Sequence, residues 1–281
     1  MIQKLSKEIV LNWIRLAAGE SFSNRDIHEG LDIGTPEGKT HLRVILKRLK
    51  DDGVIAFDTK HVRYRLVEFD APIQYWKRAN PKNIVPIKWP FELEKYVRIL
   101  CKSLVVIGGD SNVGKSAFAY NLITMNWKSF KMVLFNSESG DEELNERLSY
   151  FPDSKDWPDD IIRFRTHNFA DVIVPDAINI IDYIEPPDPL FLMATILREI
   201  WEKLTTGVAV VMLQKPPGRD LPYGKDSTKW LARLLLSIDK GKLTIVKAKS
   251  WANKDDNPNG KKWTFQLVNG AKFLNLMEIV E

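Results

Sequence analysis

Gly109-Asp-Ser-Asn-Val-Gly-Lys-Ser116 decides how this chain is read, because it fits G-x-x-x-x-G-K-[ST] without a mismatch. An apolar, β-type run, Leu104-Val-Val-Ile107, feeds it, and an Ala/Phe/Leu/Ile pattern at helical spacing, Ala117 to Met125, follows. Small residues let successive backbone N–H groups turn inward around a phosphate, and the helix points its positive end at the same anion. The candidate nucleotide-contacting residues are therefore Gly109, Asp110, Ser111, Asn112, Val113, Gly114, Lys115, Ser116 and Ala117. Lys115 is expected to reach the β- and γ-phosphates of ATP, and Ser116 to offer its hydroxyl to Mg²⁺. A plain glycine turn with a solvated lysine is the alternative, and it gives no reason for strand and helix to flank the loop.

Downstream, β-type and helical patterns alternate. Strands are expected near 104–108, 132–135, 177–182 and 208–213, with helices near 115–126, 142–149 and 189–204. Such alternation predicts an α/β core with a mainly parallel sheet and crossover helices. A further helix near 228–236, a strand at 243–248 and a hairpin turning at Asn269-Gly270 complete the pattern. Asp182 ends an apolar strand pattern at the edge where ligands of open α/β sheets gather, so it is the candidate Mg²⁺ carboxylate, with Asp176 as competitor. Glu138 lies just beyond the strand after the phosphate-loop helix, placed to polarise a water, or else to serve as a first-turn acid beside Asp141, Glu142 and Glu143.

Residues 1–68 form a pattern of their own: three helical segments, then β-type runs at 54–57 and 62–66 flanking Asp58-Thr-Lys-His61. Three helices and a hairpin describe a small winged-helix domain, whose third helix would offer Lys39, Arg43, Lys47 and Arg48 to a DNA major groove. Winged helices also serve as protein contacts, and 12 basic against 10 acidic residues here leave that use open. Residues 69–96, with Pro72, Pro81, Pro86 and Pro90, read as a linker, and Trp76, Trp89 and Phe91 suggest a strap docked on the domain that fills 97–281.

At 281 residues and 44% hydrophobic content the chain can build real cores, and disorder is excluded as a default. One cysteine, Cys101, excludes an internal disulfide and a cysteine-built zinc cluster. With no apolar run long enough to span a bilayer and no basic-then-apolar start, a cytoplasmic protein without a membrane partner is expected. The net charge of +4 is uneven: residues 101–200 hold 9 Lys/Arg against 16 Asp/Glu, and 201–281 hold 14 against 8. That surplus is compatible with a polyanionic partner.

The phosphate loop, Phe135-Asn-Ser-Glu138 with Glu143-Leu-Asn-Glu-Arg147, Ile181-Asp182-Tyr183 and Gln214 together resemble the RecA/DnaB-type ATPase core, over about residues 97–276. The resemblance implies that Glu138 is the general base and that Gln214 senses the γ-phosphate and relays it to a DNA-contacting loop. Residues 215–229 would be that loop, with Lys215, Arg219, Lys225 and Lys229 on the strand's phosphates and Tyr223 or Trp230 stacking on bases. It also implies a basic pair acting in a neighbouring subunit's site, matched by Lys247 and Lys249. The glutamate motif departs from the common helicase form, Ser-Leu-Glu-Met, by reading Asn-Ser-Glu-Ser. The implied protein is a Mg²⁺-dependent, DNA-dependent ATPase, helicase- or recombinase-like. It would form a ring or filament on single-stranded DNA and serve replication or recombination of a phage, plasmid or other mobile element beside other replication proteins. A DNA-binding regulator or assembly scaffold, switched by ATP and guided by the winged helix on duplex DNA, is the other reading.

Overall fold

The structure, a computed structural model, describes residues 5–17, 21–68, 71 and 73–279. The start of the chain, Met1-Ile-Gln-Lys4, and Pro72 lie outside them. The chain forms two compact units, Met1–Ala79 and Asn80–Glu281.

In the first unit, α1 (Lys7–Ala17), α2 (Asn24–Gly30) and α3 (Pro36–Asp51) precede β1 (Ile55–Asp58) and β2 (Arg63–Leu66). Ser23 starts α2 through a reciprocal box: its hydroxyl accepts from the Asp26 N–H, and the Asp26 carboxylate accepts from the Ser23 N–H at 2.8 Å. Thr35 caps α3 with a single bond, its hydroxyl accepting from the Gly38 N–H at 3.1 Å, and Pro36 takes the first helical position, where its missing N–H costs nothing. Leu42, Ile45, Leu46 and Leu49 recur every three or four residues, so one face of α3 is buried against Val10, Ile14, Ile27 and Ile55. The opposite face leaves Lys39, Arg43, Lys47 and Arg48 exposed, the first three at four-residue intervals. Phe22 joins the β1–β2 hairpin by a bridge to Tyr64, with both backbone bonds made.

The second unit runs β3 (Ser103–Gly109), α4 (Lys115–Asn126), β4 (Met132–Asn136), α5 (Asp141–Leu148), β5 (Ile162–Phe164), β6 (Ile178–Ile184) and α6 (Leu192–Lys203). There follow β7 (Val208–Gln214), α7 (Asp226–Leu231), β8 (Leu234–Asp239), β9 (Lys242–Ala248), β10 (Lys262–Val268) and β11 (Lys272–Ile279). Nine strands make one sheet in the order β11-β10-β9-β8-β3-β7-β6-β4-β5. From β8 to β5 the neighbours are parallel; β8, β9, β10 and β11 pair antiparallel. Parallel strands need crossovers, and helices cover both faces of their part of the sheet. Every residue of β3 is buried, with Val105 and Ile107 facing one apolar layer and Leu104 and Val106 the other. Each such side chain contributes roughly 1.5–3 kcal/mol by leaving water.

Two sequence expectations change here. The run Leu234-Leu-Leu-Ser-Ile238 is not the end of a helix but β8, paired in parallel with β3, because a fully buried place beside the central strand suits a continuous apolar run. The strap is split in its behaviour: Trp89 and Phe91 pack in the core, whereas Trp76 is 72% exposed.

Candidate active site

The phosphate loop is shaped by its glycines. A Cβ on Gly109 would lie 2.8 Å from Val113 Cγ2 and 2.9 Å from Lys115 Cγ, so the turn admits no side chain there. Gly114, at φ +107°, sits in the left-handed region and starts α4, with Leu267 and Phe273 of the terminal hairpin close above it. Lys115 is buried, and its ammonium donates to the Gly109 carbonyl at 3.1 Å and the Asp110 carbonyl at 2.7 Å. Burial pushes this ammonium below its ordinary range, and the charges of Asp182, Asp110 and Glu138 oppose that.

Topology gathers the other groups. β7 lies between β3 and β6, with Gln214 in register with Gly109, while β4 flanks β6 with Asn136 in register with Asp182. Four parallel strands thus deliver the phosphate loop, Gln214, Asp182 and the Glu138 loop to one sheet edge. They surround a cavity of about 470 Å³, which Lys115, Ser116, Glu138, Asp182 and Gln214 all line. Asp182 is buried, so desolvation raises its pKa; a hydrogen bond from the Ser116 hydroxyl and the Lys115 charge pull the other way. Asp176 precedes β6 at the opposite end of the strand and faces Lys131, so it takes no part.

The far wall carries Tyr120, Glu143 and Arg147. The Arg147 guanidinium pairs with Glu143 at 2.5 Å and hydrogen-bonds the Tyr120 hydroxyl, whose pKa burial raises. The turn Asn269-Gly270 closes another side, tied down where the Asn121 amide donates to the Ala271 carbonyl at 2.6 Å.

These residues fit a magnesium-bound triphosphate. The loop is a cradle that a Cβ would fill, its helix N-terminus and Lys115 supply positive charge, and the touching pair Ser116 and Asp182 gives the hydroxyl and carboxylate oxygens that a hard cation takes.

The predicted nucleic-acid residues fare differently. Lys215 is a correction: its side chain is fully buried, its ammonium bonded to Asp239 at 2.5 Å and to the Arg219 carbonyl at 2.7 Å, so it cannot meet a phosphate strand. Arg219 and Lys225 are exposed on the following loop, Lys229 is half-buried near Asp226, and Trp230 is 68% exposed. Lys247, near the end of β9, does not line the cavity of its own chain; its ammonium donates to the Lys229 carbonyl. Lys249, just beyond, is exposed. Tyr120 and the Asn269-Gly270 turn are site residues that the sequence does not point to, since the apolar and polar residues of α4 are not sorted onto separate faces and the turn belongs to strands far along the chain.

No protein-family model matches the sequence, and no curated protein matches it either. Among solved structures, a KaiC-like protein from the hyperthermophilic archaeon Pyrococcus horikoshii is similar at 17% identity and a TM-score of 0.48, covering 71% of this chain and 100% of that one.

Proposed function

We propose that this protein hydrolyses ATP with a RecA/DnaB-type core, works as a homo-oligomer and takes its stimulus from DNA. The observation that carries the reading is the convergence of Lys115, Ser116, Glu138, Asp182 and Gln214 on one cavity at the carboxyl edge of a parallel sheet. Magnesium, held by Ser116 and Asp182, would offset charge on the phosphates. Lys115 and the loop N–H groups bind and orient the triphosphate. Glu138, exposed to the cavity beside the buried Asp182, takes the proton of the attacking water. Gln214 ends the strand beside the phosphate loop and leads directly into the loop of Arg219 and Lys225 and on into α7 with Lys229, a segment that would lie on single-stranded DNA. Lys247 and Lys249 of an adjoining copy would supply positive charge to the γ-phosphate.

Measuring ATP turnover with and without single-stranded DNA, for the natural chain and Gln214→Ala, tests this. We expect strong stimulation that the substitution removes. Absence of magnesium-dependent ATP binding would sink the reading. The exposed stripe Lys39, Arg43 and Lys47 on α3 favours duplex contact by the first unit, as in the regulator reading. A rate indifferent to DNA, with sequence-selective duplex binding, would move the assignment there.

A further inference from the structure

Ser137 stands directly before Glu138, where the common helicase form of the motif has leucine. Its surroundings show what the hydroxyl does. Pairing between β6 and β7 is irregular between Ile181 and Ile184, so the ladder skips Asp182 and Tyr183. The Ser137 hydroxyl takes up both backbone groups of Tyr183: it donates to the Tyr183 carbonyl at 2.8 Å and accepts from the Tyr183 N–H at 2.9 Å. The Ser137 N–H donates to the Asp182 carbonyl at 3.0 Å. One residue therefore makes three hydrogen bonds to the end of the strand that carries Asp182. On the other side of Glu138, the Asn136 side chain donates to the Ser139 carbonyl at 2.6 Å and accepts from the N–H groups of Ser139 and Glu138. Glu138 is bracketed by fixed backbone on both sides while its own side chain stays exposed to the cavity.

We infer that Ser137 is a positioning residue: its hydroxyl fixes the distance between Glu138 and Asp182, and so between the proton acceptor and the metal-holding carboxylate. A leucine has no group that could satisfy the Tyr183 backbone, so the serine and the break in the β6–β7 ladder belong together. The inference rests on Glu138 being the base, and the experiment separates the two. ATP turnover and affinity for a fluorescent ATP analogue are measured on the full chain and on Glu138→Gln, Ser137→Ala and Ser137→Thr, with thermal melts of each. We expect Ser137→Ala to lose kcat by about 100-fold, the scale of an ångström of misplacement, with analogue affinity and Tm held, and Ser137→Thr, which keeps the hydroxyl, to recover most of the rate. Ser137→Cys, similar in size but a far weaker hydrogen-bonding group, replaces the alanine variant if that chain does not fold. A kcat for Ser137→Ala within twofold of the natural chain overturns the inference. So does a parallel loss of affinity and Tm that threonine fails to restore, which would make the serine merely structural. If Glu138→Gln turns over like the natural chain, the base assignment itself falls, whatever Ser137 does.

Discussion

The cavity edge and the end of β9 both gather lysine and arginine, yet they balance that charge in opposite ways. In the cavity, Lys115 faces Asp182, Asp110 and Glu138, and Arg147 pairs with Glu143. At the end of β9, the charges that act on Lys247 are those of Lys249, Lys229 and Arg233, and burial together with this crowding lowers its pKa to about 8. One region is internally compensated, while the other stores positive charge that an incoming anion would relieve. Under the proposed function, the contrast separates a lysine that would meet a phosphate within its own chain from one that would be left for another molecule's.

The sharpest way to break that contrast is Lys247→Ala. If its charge serves a neighbour's site, turnover falls by about 100-fold, the scale of removing one aimed donor, at concentrations where copies associate. Steady-state rates across a dilution series would read this out, and an equal loss in an isolated monomer would refute the in-trans role. Lys115→Met should act within one chain: nucleotide affinity weakens by roughly 30-fold, about 2 kcal/mol for a charge-assisted hydrogen bond, at every protein concentration.

A smaller effect separates Lys215 from Arg219. Arg219→Ala should reduce the salt slope of single-stranded DNA binding by about 0.7, the effect of leaving one phosphate without its cation, with Tm unchanged. Lys215→Met should lower Tm, because it strips Asp239 of its ion partner, and leave the slope alone. The reverse pattern would restore Lys215 as a DNA-binding residue.

The smallest effect is on stability against pH. Lys247 has a folded pKa near 8, below the ordinary lysine value, so the unfolded chain holds more protons than the folded one between about 8 and the ordinary range. Stability should therefore rise as pH climbs through that window, and Lys247→Met should flatten the rise in Tm. A Tm that falls identically in both proteins would mean that the crowding at β9 is relieved in solution.

How much of this was legible follows from how local each signal is. The phosphate loop could be read because strand, loop and helix lie consecutively, and Glu138, Asp182 and Gln214 because each follows an apolar strand pattern. Boundaries drifted where tertiary context decides: β6 continues two residues past Asp182, and Leu234–Ile238 is a strand only because β3 lies beside it. The burial of Lys215 was hidden, since nothing nearby in sequence announces that Asp239, 24 positions on, receives its ammonium. Tyr120 was hidden in a helix whose apolar and polar residues mark no single face, and the role of Ser137 by a ladder irregularity that no one-dimensional pattern records.

The hairpin of β10 and β11 roofs the phosphate loop, and the bond between Asn121 and Ala271 spans 150 positions of sequence. On a ribosome adding about 5–20 residues per second, the phosphate loop emerges roughly 7 to 30 seconds before its cover is made. A nascent chain in that interval has the loop without the enclosure, so the cavity is completed only when β10 and β11 fold back over a helix laid down long before.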